Sequence, residues 1–493
     1  MDSSALTPFE RPRLAHAEIR TIVLGILLAM FLGALDQTIV ATALPTIGRD
    51  LADVENLSWV VSAYLLTSTA VTPLYGKLSD IHGRRAMLLV AIVIFLIGSV
   101  AGALAPTMTV LIIARALQGL GGGGLLSLAQ TIIGDIVSPL ERGRYQGLIG
   151  VVFAAASVGG PLLGGVLAEH LHWSFIFWIN LPIGLAAFLM TNSVLKRLPR
   201  HERPHRLDIG GALLMMLATT ALLLALTWGG QRYAWTSPAI LSLLGGSAAF
   251  WVLFVIRLMT AREPFLPLNL LLNPVVGIGT ASVTCVFGTM IGLAIFVPLY
   301  FEVARGLTAS ESGLALIPLM GGTVVGSTFS GRAMTYVRHY KRMPMVGLAA
   351  AIVALALLAA APMRLPVALV CVLLGIAGLG LGSIFPITTV SVQNAVLPWQ
   401  LGTATGAMNF FRQLGGALIV ALFGAIVLGG AGGGHQGLTV EALAATAGRG
   451  TDFGGVFGWV FATADLLLCA GLALLAIMEE RPLRGSAAPA AAE

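Results

Sequence analysis

The feature that most constrains this chain is the length of its apolar runs, which follow one another from residue 21 to residue 478. A run of about 20 apolar residues crosses the hydrocarbon core of a bilayer as an α-helix, and only helices and closed barrels can span that core. A barrel would show alternating strands of about ten residues instead. The runs therefore predict an all-α polytopic membrane protein.

The scarcity of charge supports the same conclusion. Only 10% of the 493 residues are charged and 57% are apolar, whereas about 25% are charged in an ordinary soluble domain. So few charges cannot cover the surface of a water-soluble protein of this size. The composition excludes a soluble enzyme, a disordered chain and a DNA-binding domain.

We predict fourteen membrane spans, of which the one at 313–331 has the weakest signal. They cover residues 21–45, 57–76, 86–105, 109–133, 146–168, 175–195, 208–229, 238–259, 274–301, 313–331, 344–362, 366–390, 404–430 and 455–478. An even number of spans places both ends of the chain on the same side of the membrane.

The basic residues predict the orientation of these spans. Of the 28 Lys and Arg residues, 21 fall on the side that holds the chain ends. Five fall on the other side, namely Arg49, Arg232, Arg305, Arg364 and Arg449. Lys and Arg accumulate in cytoplasmic segments, so both termini are expected in the cytoplasm. The net charge of +6 is then a topology signal, and no nucleic-acid partner is expected. The cysteines and histidines show no ligand spacing, so neither a metal nor a cofactor is expected.

Ionisable side chains inside a span are costly, so each one needs a reason. Asp36 lies ~13 Å and Arg115 ~9–10 Å from the outer ends of spans 1 and 4, at 1.5 Å per residue. The matching depths predict a pair of opposite charges. Burial favours the protonated acid and Arg115 favours the carboxylate, so Asp36 would be a switchable proton site. A static ion pair that only fixes helix packing is the alternative.

Two further charges lie inside spans of the second half. Arg412 sits beside Asn409 and Gln413 in span 13, and this cluster has either a structural or a substrate-contacting role. Asp465 lies near the middle of span 14 without an obvious partner. It is a candidate second proton site or a group that faces a vestibule.

A short basic loop carries the most specific motif. Residues 76–85 run Gly-Lys-Leu-Ser-Asp-Ile-His-Gly-Arg-Arg between spans 2 and 3. This loop resembles the signature of the major facilitator superfamily, G-x-L-x-D-x-x-G-R-R. The resemblance implies a conformational latch formed by Gly76, Asp80, Gly83, Arg84 and Arg85. In that fold the loop meets the start of span 13 near Gly402 and Thr403, whose free backbone N–H groups would stabilise the Asp80 carboxylate.

Other stretches resemble the fourteen-span drug:proton antiporter branch of that superfamily, the EmrB/QacA type. They are Leu35–Pro45, Arg115–Gly119, Gly159–Gly165, Trp173–Gly184, Ser312–Pro318 and Arg412–Gly416. In the third, Gly160, Pro161, Gly164 and Gly165 are expected to bend the helix and allow close packing. Ser174 and Phe175 replace the Arg and Trp that are usual in the fourth.

The resemblance implies two pseudo-symmetric six-helix bundles with an inserted pair, in a 6 + 2 + 6 arrangement. The expected parts are a cytoplasmic segment 1–20, the first bundle 21–195, a basic linker 196–207, the inserted pair 208–259, a linker 260–273, the second bundle 274–479 and a cytoplasmic tail 480–493.

The function that the resemblance implies is proton-coupled antiport of amphiphilic or cationic drugs by alternating access, and hence antibiotic resistance. Asp36 and Arg115 would couple the proton. The expected polar lining of the substrate cavity is Gln37, Thr38, Tyr64, Thr67, Gln118, Asn409, Arg412 and Gln413. An exporter of a lipid, a sugar or another metabolite is the alternative.

The remaining expectations concern location and partners. We expect a monomer in the inner membrane of a bacterium, whose partners are protons, a small amphiphilic substrate and the bilayer. The sequence leaves open whether a periplasmic adaptor is needed. A G-x-G-x-x-G pattern at 119–124 lies within a span without the strand that nucleotide binding requires, and no nucleophile–base pair of an enzyme is found.

Overall fold

The computed structural model describes residues 16–53, 55–197, 207–230, 232–337, 339–430 and 453–483. Fourteen of its helices are long and apolar enough to cross a membrane, which confirms the predicted all-α architecture and number of spans. Most of the predicted linker 196–207, the tail beyond residue 483 and the glycine-rich loop near 429–455 lie outside the described residues.

We number the spanning helices in chain order. They are α1 His16–Asp50, α2 Leu57–His82, α3 Arg84–Ala103, α4 Met108–Ile136, α5 Pro139–His170, α6 Phe175–Trp178 with Asn180–Val194, α7 Ile209–Trp228 and α8 Pro238–Thr260. The second half contains α9 Pro274–Leu299, α10 Ala309–Ala333, α11 Arg342–Ala360, α12 Val367–Asn394, α13 Leu401–Gly430 and α14 Phe453–Ile477.

The helices differ from the predicted spans mainly at their ends. α1 is longer than the predicted span 21–45 on both sides, so the expected N-terminal segment 1–20 contains its first turn. An apolar run stops at the first polar residue, whereas a helix continues into the interface, where water and side chains satisfy its last backbone groups. Local caps set several ends: Ser237 accepts from the N–H of Ile240, and Thr308 forms a capping box with Glu311.

The helices pack into two bundles, as the predicted 6 + 2 + 6 arrangement requires. In the first bundle α1 packs against α4, α5 and α6, while α2 and α3 pack against α4. In the second, α9 packs against α13 and α14, and α12 packs against α10 and α11. The inserted helices α7 and α8 form a hairpin, and α7 lies against both α2 and α13. The inserted pair therefore covers one side of the boundary between the bundles.

The bundles meet near the side on which α1 begins and α14 ends, which we call the terminal face. Gly76 of α2 packs on the backbone of Gly402 in α13, and Gly143 of α5 packs on the backbone of Gly331 in α10. Glycine allows two helix backbones to approach this closely. We call this line of contacts the seam.

Towards the opposite face the seam opens into a cleft. Pro161, Leu162 and Leu163 of α5 are all exposed, and successive residues of a helix point about 100° apart. No atom lies within 4 Å of the position that a side chain would take at Gly159 or Gly165. At this level α5 is covered mainly on the side that faces α1, so the second bundle does not touch it there.

Candidate functional site

Asp36 lies in the middle of α1 and is completely buried. Its Oδ2 accepts a hydrogen bond from Nη1 of Arg115 in α4 at 2.5 Å. Arg115 is itself 1% exposed. The structure thus brings together the two charges whose depths match along the sequence. Removal of one partner of such a buried pair strongly destabilises the folded protein, because the other charge is left uncompensated.

Neutral side chains complete the shell of Asp36. Its Oδ1 accepts from Nε2 of Gln118 at 2.8 Å and from Nδ2 of Asn180 at 3.0 Å. Both amides also donate to Oγ of Ser99, at 2.8 and 2.9 Å. The carboxylate therefore connects α1 with α4 directly, with α6 through Asn180, and with α3 through Ser99. We call Asp36, Ser99, Arg115, Gln118 and Asn180 the buried carboxylate network.

Arg115 is held by further contacts on its other sides. Its Nη1 donates to Oε1 of Gln118 at 2.6 Å, and its Nε donates to the carbonyl oxygen of Val60 at 2.9 Å. The guanidinium lies 4.5 Å from the ring centroid of Tyr64, a cation–π distance. Tyr64 and Gln118 were expected to line the substrate cavity. Both are fully buried in this conformation, where they contact the ion pair.

The residues that follow Asp36 on α1 are the first ones near this network that are not buried. Gln37 is exposed and Thr38 is partly exposed, and Gln37 lies next to Tyr64. Oγ1 of Thr38 donates to the carbonyl oxygen of Ala156 in α5 at 2.8 Å. Thr67 donates to the carbonyl oxygen of Ala116 in α4 at 2.9 Å. Of these predicted cavity residues, Gln37 alone is exposed beside the network.

The α5 motif forms a close contact with α1. A side chain at Gly160 would clash with Oγ1 of Thr38, and one at Gly164 would clash with the backbone oxygen of Ile39. Gly165 faces open space and Pro161 is exposed. The close-packing interpretation therefore holds for Gly160 and Gly164, whereas Gly165 makes no such contact because it points about 100° away from Gly164.

Asp80 connects the two bundles at the terminal face. Its carboxylate accepts from the backbone N–H groups of Gly402 and Thr403 at 3.1 and 2.7 Å and from Oγ1 of Thr403 at 2.6 Å. It also pairs with Nη1 of Arg84 at 2.5 Å. Arg84 reaches on to Asp135 of α4 at 2.8 Å. These contacts cap the first turn of α13 with a carboxylate from the other bundle.

Two members of the expected latch have other roles. Nη2 of Arg85 donates to Oδ1 of Asn192 in α6 at 2.5 Å, so Arg85 ties parts of its own bundle together and does not cross the seam. Gly83 touches nothing where a side chain would be, but its φ of +90° is a conformation that side chains rarely adopt. Gly83 therefore permits the turn that aims Asp80 and Arg84.

Neutral hydrogen bonds cross the seam above the latch. Nδ2 of Asn409 donates to Oε1 of Gln130 at 2.9 Å, and Oγ1 of Thr69 donates to Oε1 of Gln413 at 3.1 Å. Gln393 donates to the backbone oxygen of Gln130 at 3.2 Å. Asn409 and Gln413 thus close the lower end of the cleft in this conformation and are not free cavity walls, because both face the first bundle.

Arg412 and Asp465 remain without a charged partner in the part of the chain that the structure describes. The guanidinium of Arg412 stacks on Phe287 at 4.8 Å, and its Nε has no hydrogen-bond acceptor. Oδ1 of Asp465 is buried and also lacks a partner. Asp465 lies in α14 of the second bundle, whereas the buried carboxylate network lies in the first bundle.

Several members of the site could not be assigned from the sequence. Ser99 and Asn180 complete the shell of Asp36. Asp135 holds Arg84 within the first bundle, and Gln130 accepts hydrogen bonds across the seam. Each is a polar residue within a long apolar helix, which is the signal that could have found them. The direction of a neutral side chain depends on helix packing, however, and spacing alone does not reveal it.

Comparisons with known proteins support this architecture. The model of the family described as Major Facilitator Superfamily matches residues 26–420, most of the chain. An uncharacterized MFS-type transporter of Mycobacterium tuberculosis is 37% identical over 84% of this chain, and the match spans 60% of the relative's length. Multidrug resistance protein 3 of Bacillus subtilis is 35% identical over 83% of this chain and 80% of its own.

A solved structure shows the same fold. The crystal structure of the human organic anion transporter MFSD10 superposes with a TM-score of 0.61 and covers 92% of this chain and 99% of that chain. The two sequences are 18% identical, so this likeness concerns the fold alone. These relatives and the structural neighbour are transporters and not enzymes.

Proposed function

Because this chain belongs to the Major Facilitator Superfamily, we propose that it is a proton-coupled antiporter that exports amphiphilic drugs and other toxic compounds across the inner membrane of a bacterium. The observation that carries the proposal is the buried pair of Asp36 and Arg115 next to the exposed Gln37. A carboxylate that loses its partner at bilayer depth must take up a proton or water. Movement of α1 against α4 would therefore couple directly to protonation.

The geometry supports a cycle of alternating access. With the terminal face in the cytoplasm, as the basic residues predict, the cleft opens outward and the seam is closed inward. A proton that enters the cleft would reach Asp36 past Gln37 and weaken its pair with Arg115. Opening of the seam would then expose the network to the cytoplasm, where Asp36 releases the proton and a substrate enters.

The relatives support the substrate class. Multidrug resistance protein 3 is named for resistance to multiple drugs and matches most of this chain. The chain spans 60% of the length of the Mycobacterium tuberculosis relative, so activity and partners of that longer protein are carried over as proposals. A broad substrate range also fits an apolar cleft with few polar groups, which binds through shape and area.

The test is transport by purified protein in proteoliposomes with an imposed pH gradient and a panel of amphiphilic dyes. The protein should move several dyes against their gradients, and Asp36→Asn should abolish the proton-driven component. Asn keeps the shape of Asp36 and its bonds to Gln118 and Asn180, but it leaves the charge of Arg115 uncompensated, so transport is normalised to the amount of folded protein. Asp50→Asn, an exposed acid at the end of the same helix, is the matched control and should transport normally.

Two outcomes would contradict the proposal. If Asp36→Asn transports at the normal rate under the same gradient, the proton does not pass through this residue. If one metabolite but no dye in the panel is moved, the protein is a specific exporter with the same fold.

A further inference from the structure

Arg412 differs from Arg115, the other arginine deep inside a described span. Arg115 is paired with Asp36. Arg412 is only 7% exposed, yet no described carboxylate lies within ion-pair distance of it. An unpaired guanidinium in such a place is costly. Something other than the described chain must compensate this charge for at least part of the cycle.

The position of Arg412 along α13 corresponds to the level at which the cleft begins. Arg412 is 11 residues from the start of α13, which places it near the middle of the bilayer. The next residue, Gln413, bonds to Thr69 across the seam, so Arg412 stands where the closed seam meets the open cleft. A molecule that enters the cleft from the opposite face would reach it without crossing the seam.

The surroundings form half of a binding site. Phe287 of α9 offers its face to the guanidinium, and Phe385 of α12 packs against Phe287 with ring centroids 6.1 Å apart. Thr284 lies one turn before Phe287 on α9, and its Oγ1 is a buried polar atom without a partner. Nε of Arg412 is a second one. A cation, two unused donors and an aromatic wall suit an anionic oxygen group on an apolar body.

We propose that Arg412 binds the anionic group of the transported compound, with Thr284 as a second donor and Phe287 against the apolar part. This inference rests on the proposed function and narrows it: amphiphilic acids are substrates. The charges of the two bundles support this selectivity. Asp36 is compensated by Arg115 within the first bundle, whereas no described carboxylate pairs with Arg412, so the part of the cleft around Arg412 favours anions.

The test compares two dyes that share a ring system and differ in charge. Fluorescein is an anion at neutral pH, and tetramethylrhodamine methyl ester is a cation. Binding of each dye to the purified full-length protein is measured by fluorescence polarisation. In Arg412→Gln the ratio of fluorescein affinity to rhodamine affinity should fall at least about tenfold, the usual loss for a charge-assisted hydrogen bond. Arg412→Lys should keep most of the ratio, because it keeps the charge.

Arg257→Gln is the matched control, since Arg257 pairs with Asp208 on the inserted helices away from the cleft. It should leave the ratio unchanged. An unchanged ratio in Arg412→Gln, or equal losses in Arg257→Gln, would overturn the proposal. Should Arg412→Gln fail to fold, thermal unfolding of the unmodified protein decides: fluorescein should raise its midpoint, and no increase counts against the proposal.

Different results would contradict the proposed function and the inference about Arg412. Proton-driven efflux of the rhodamine dye that is lost in Asp36→Asn supports the antiporter, whether or not fluorescein binds. Fluorescein binding without any proton-driven efflux would support the Arg412 site and contradict the antiporter.

Discussion

At the scale of single residues, the buried charges of Asp36 and Arg115 compensate each other. Arg115 donates to Asp36, to Gln118 and to the backbone of Val60, so its removal leaves three acceptors with fewer partners. Truncation of one partner of a buried pair costs about 3–5 kcal/mol of unfolding free energy. The network thus links the stability of the first bundle to the residue that is proposed to exchange protons.

Arg115→Ala should change the pH dependence of transport. The variant removes the positive charge that stabilises a carboxylate at this position, so the midpoint of efflux against pH should move upward. The measurement is dye efflux from proteoliposomes over a pH series, normalised to the amount of folded protein. Arg85→Ala, whose partner Asn192 is neutral, serves as the control. An unchanged midpoint in active Arg115→Ala would assign Arg115 a purely structural role.

The sequence predicts part of this network. Depth along two helices is simple arithmetic at 1.5 Å per residue, so Asp36 and Arg115 could be paired from their positions. Ser99 and Asn180 could not be assigned to the network in the same way. They are neutral, so no opposite charge indicates a partner, and the direction of their side chains depends on how α3 and α6 pack. The same limit explains why Tyr64 and Gln118, expected in the cavity, are buried behind it.

At the scale of helices, the seam combines a carboxylate cap with glycine contacts. Asp80 supplies acceptors for the first N–H groups of α13, and Gly76 allows the two backbones to approach. The cap interaction is worth about 0.3–2 kcal/mol. A difference of this size biases two conformations that are nearly equal in free energy.

Asp80→Asn should shift the population towards the conformation with an open seam and lower turnover. The amide replaces an acceptor oxygen with a donor group and removes the charge that pairs with Arg84. Accessibility of single cysteines placed on α4 and α13 near the terminal face is measured with a charged maleimide. Arg85→Gln removes a contact within one bundle and should not change accessibility. If Asp80→Asn lowers transport without more labelling, Asp80 is not a latch.

Adjacent glycines of α5 test the helix contact with α1. Gly164→Ala places a methyl group against the backbone oxygen of Ile39, whereas Gly165→Ala meets no atom within 4 Å. Gly164→Ala should therefore lower the midpoint of thermal unfolding. Gly165→Ala should be neutral or stabilise the helix by up to about 1 kcal/mol, because alanine is the better helix former. Equal shifts in the two variants would mean that α5 does not pack on α1 as described.

Helix-scale features were the most predictable from the sequence. Long apolar runs predict all fourteen helices, and the weakest run at 313–331 is the helix Ala309–Ala333. The meeting of Asp80 with Gly402 followed from a resemblance combined with a helix-terminus argument. The position of Gly165 could not be predicted in this way. Four clustered glycines indicate close packing, but they do not show which side of α5 faces α1.

At the scale of the whole molecule, the structure shows one conformation of a two-bundle protein. The polar contacts that Asp80, Gln130 and Thr69 make across the seam lie between the terminal face and the level of Gln413. The cleft above that level exposes α5 and Gln37. Conformation is the property that a sequence cannot predict, because both states of a carrier must be compatible with the same residues and differ by only a few kcal/mol.

The closed seam can be locked by a disulfide bond. A Cβ atom at Gly150 of α5 would lie 3.8 Å from Cβ of Ser327 in α10, which is the mean separation in disulfides. The double variant Gly150→Cys/Ser327→Cys should therefore crosslink under mild oxidation and stop dye efflux, because the seam could no longer open. Reduction should restore transport, and the single variants should be insensitive to both treatments. Dye binding should persist in the oxidised form, since the cleft stays open. Normal efflux by fully crosslinked protein would show that transport does not require the two bundles to separate at this seam.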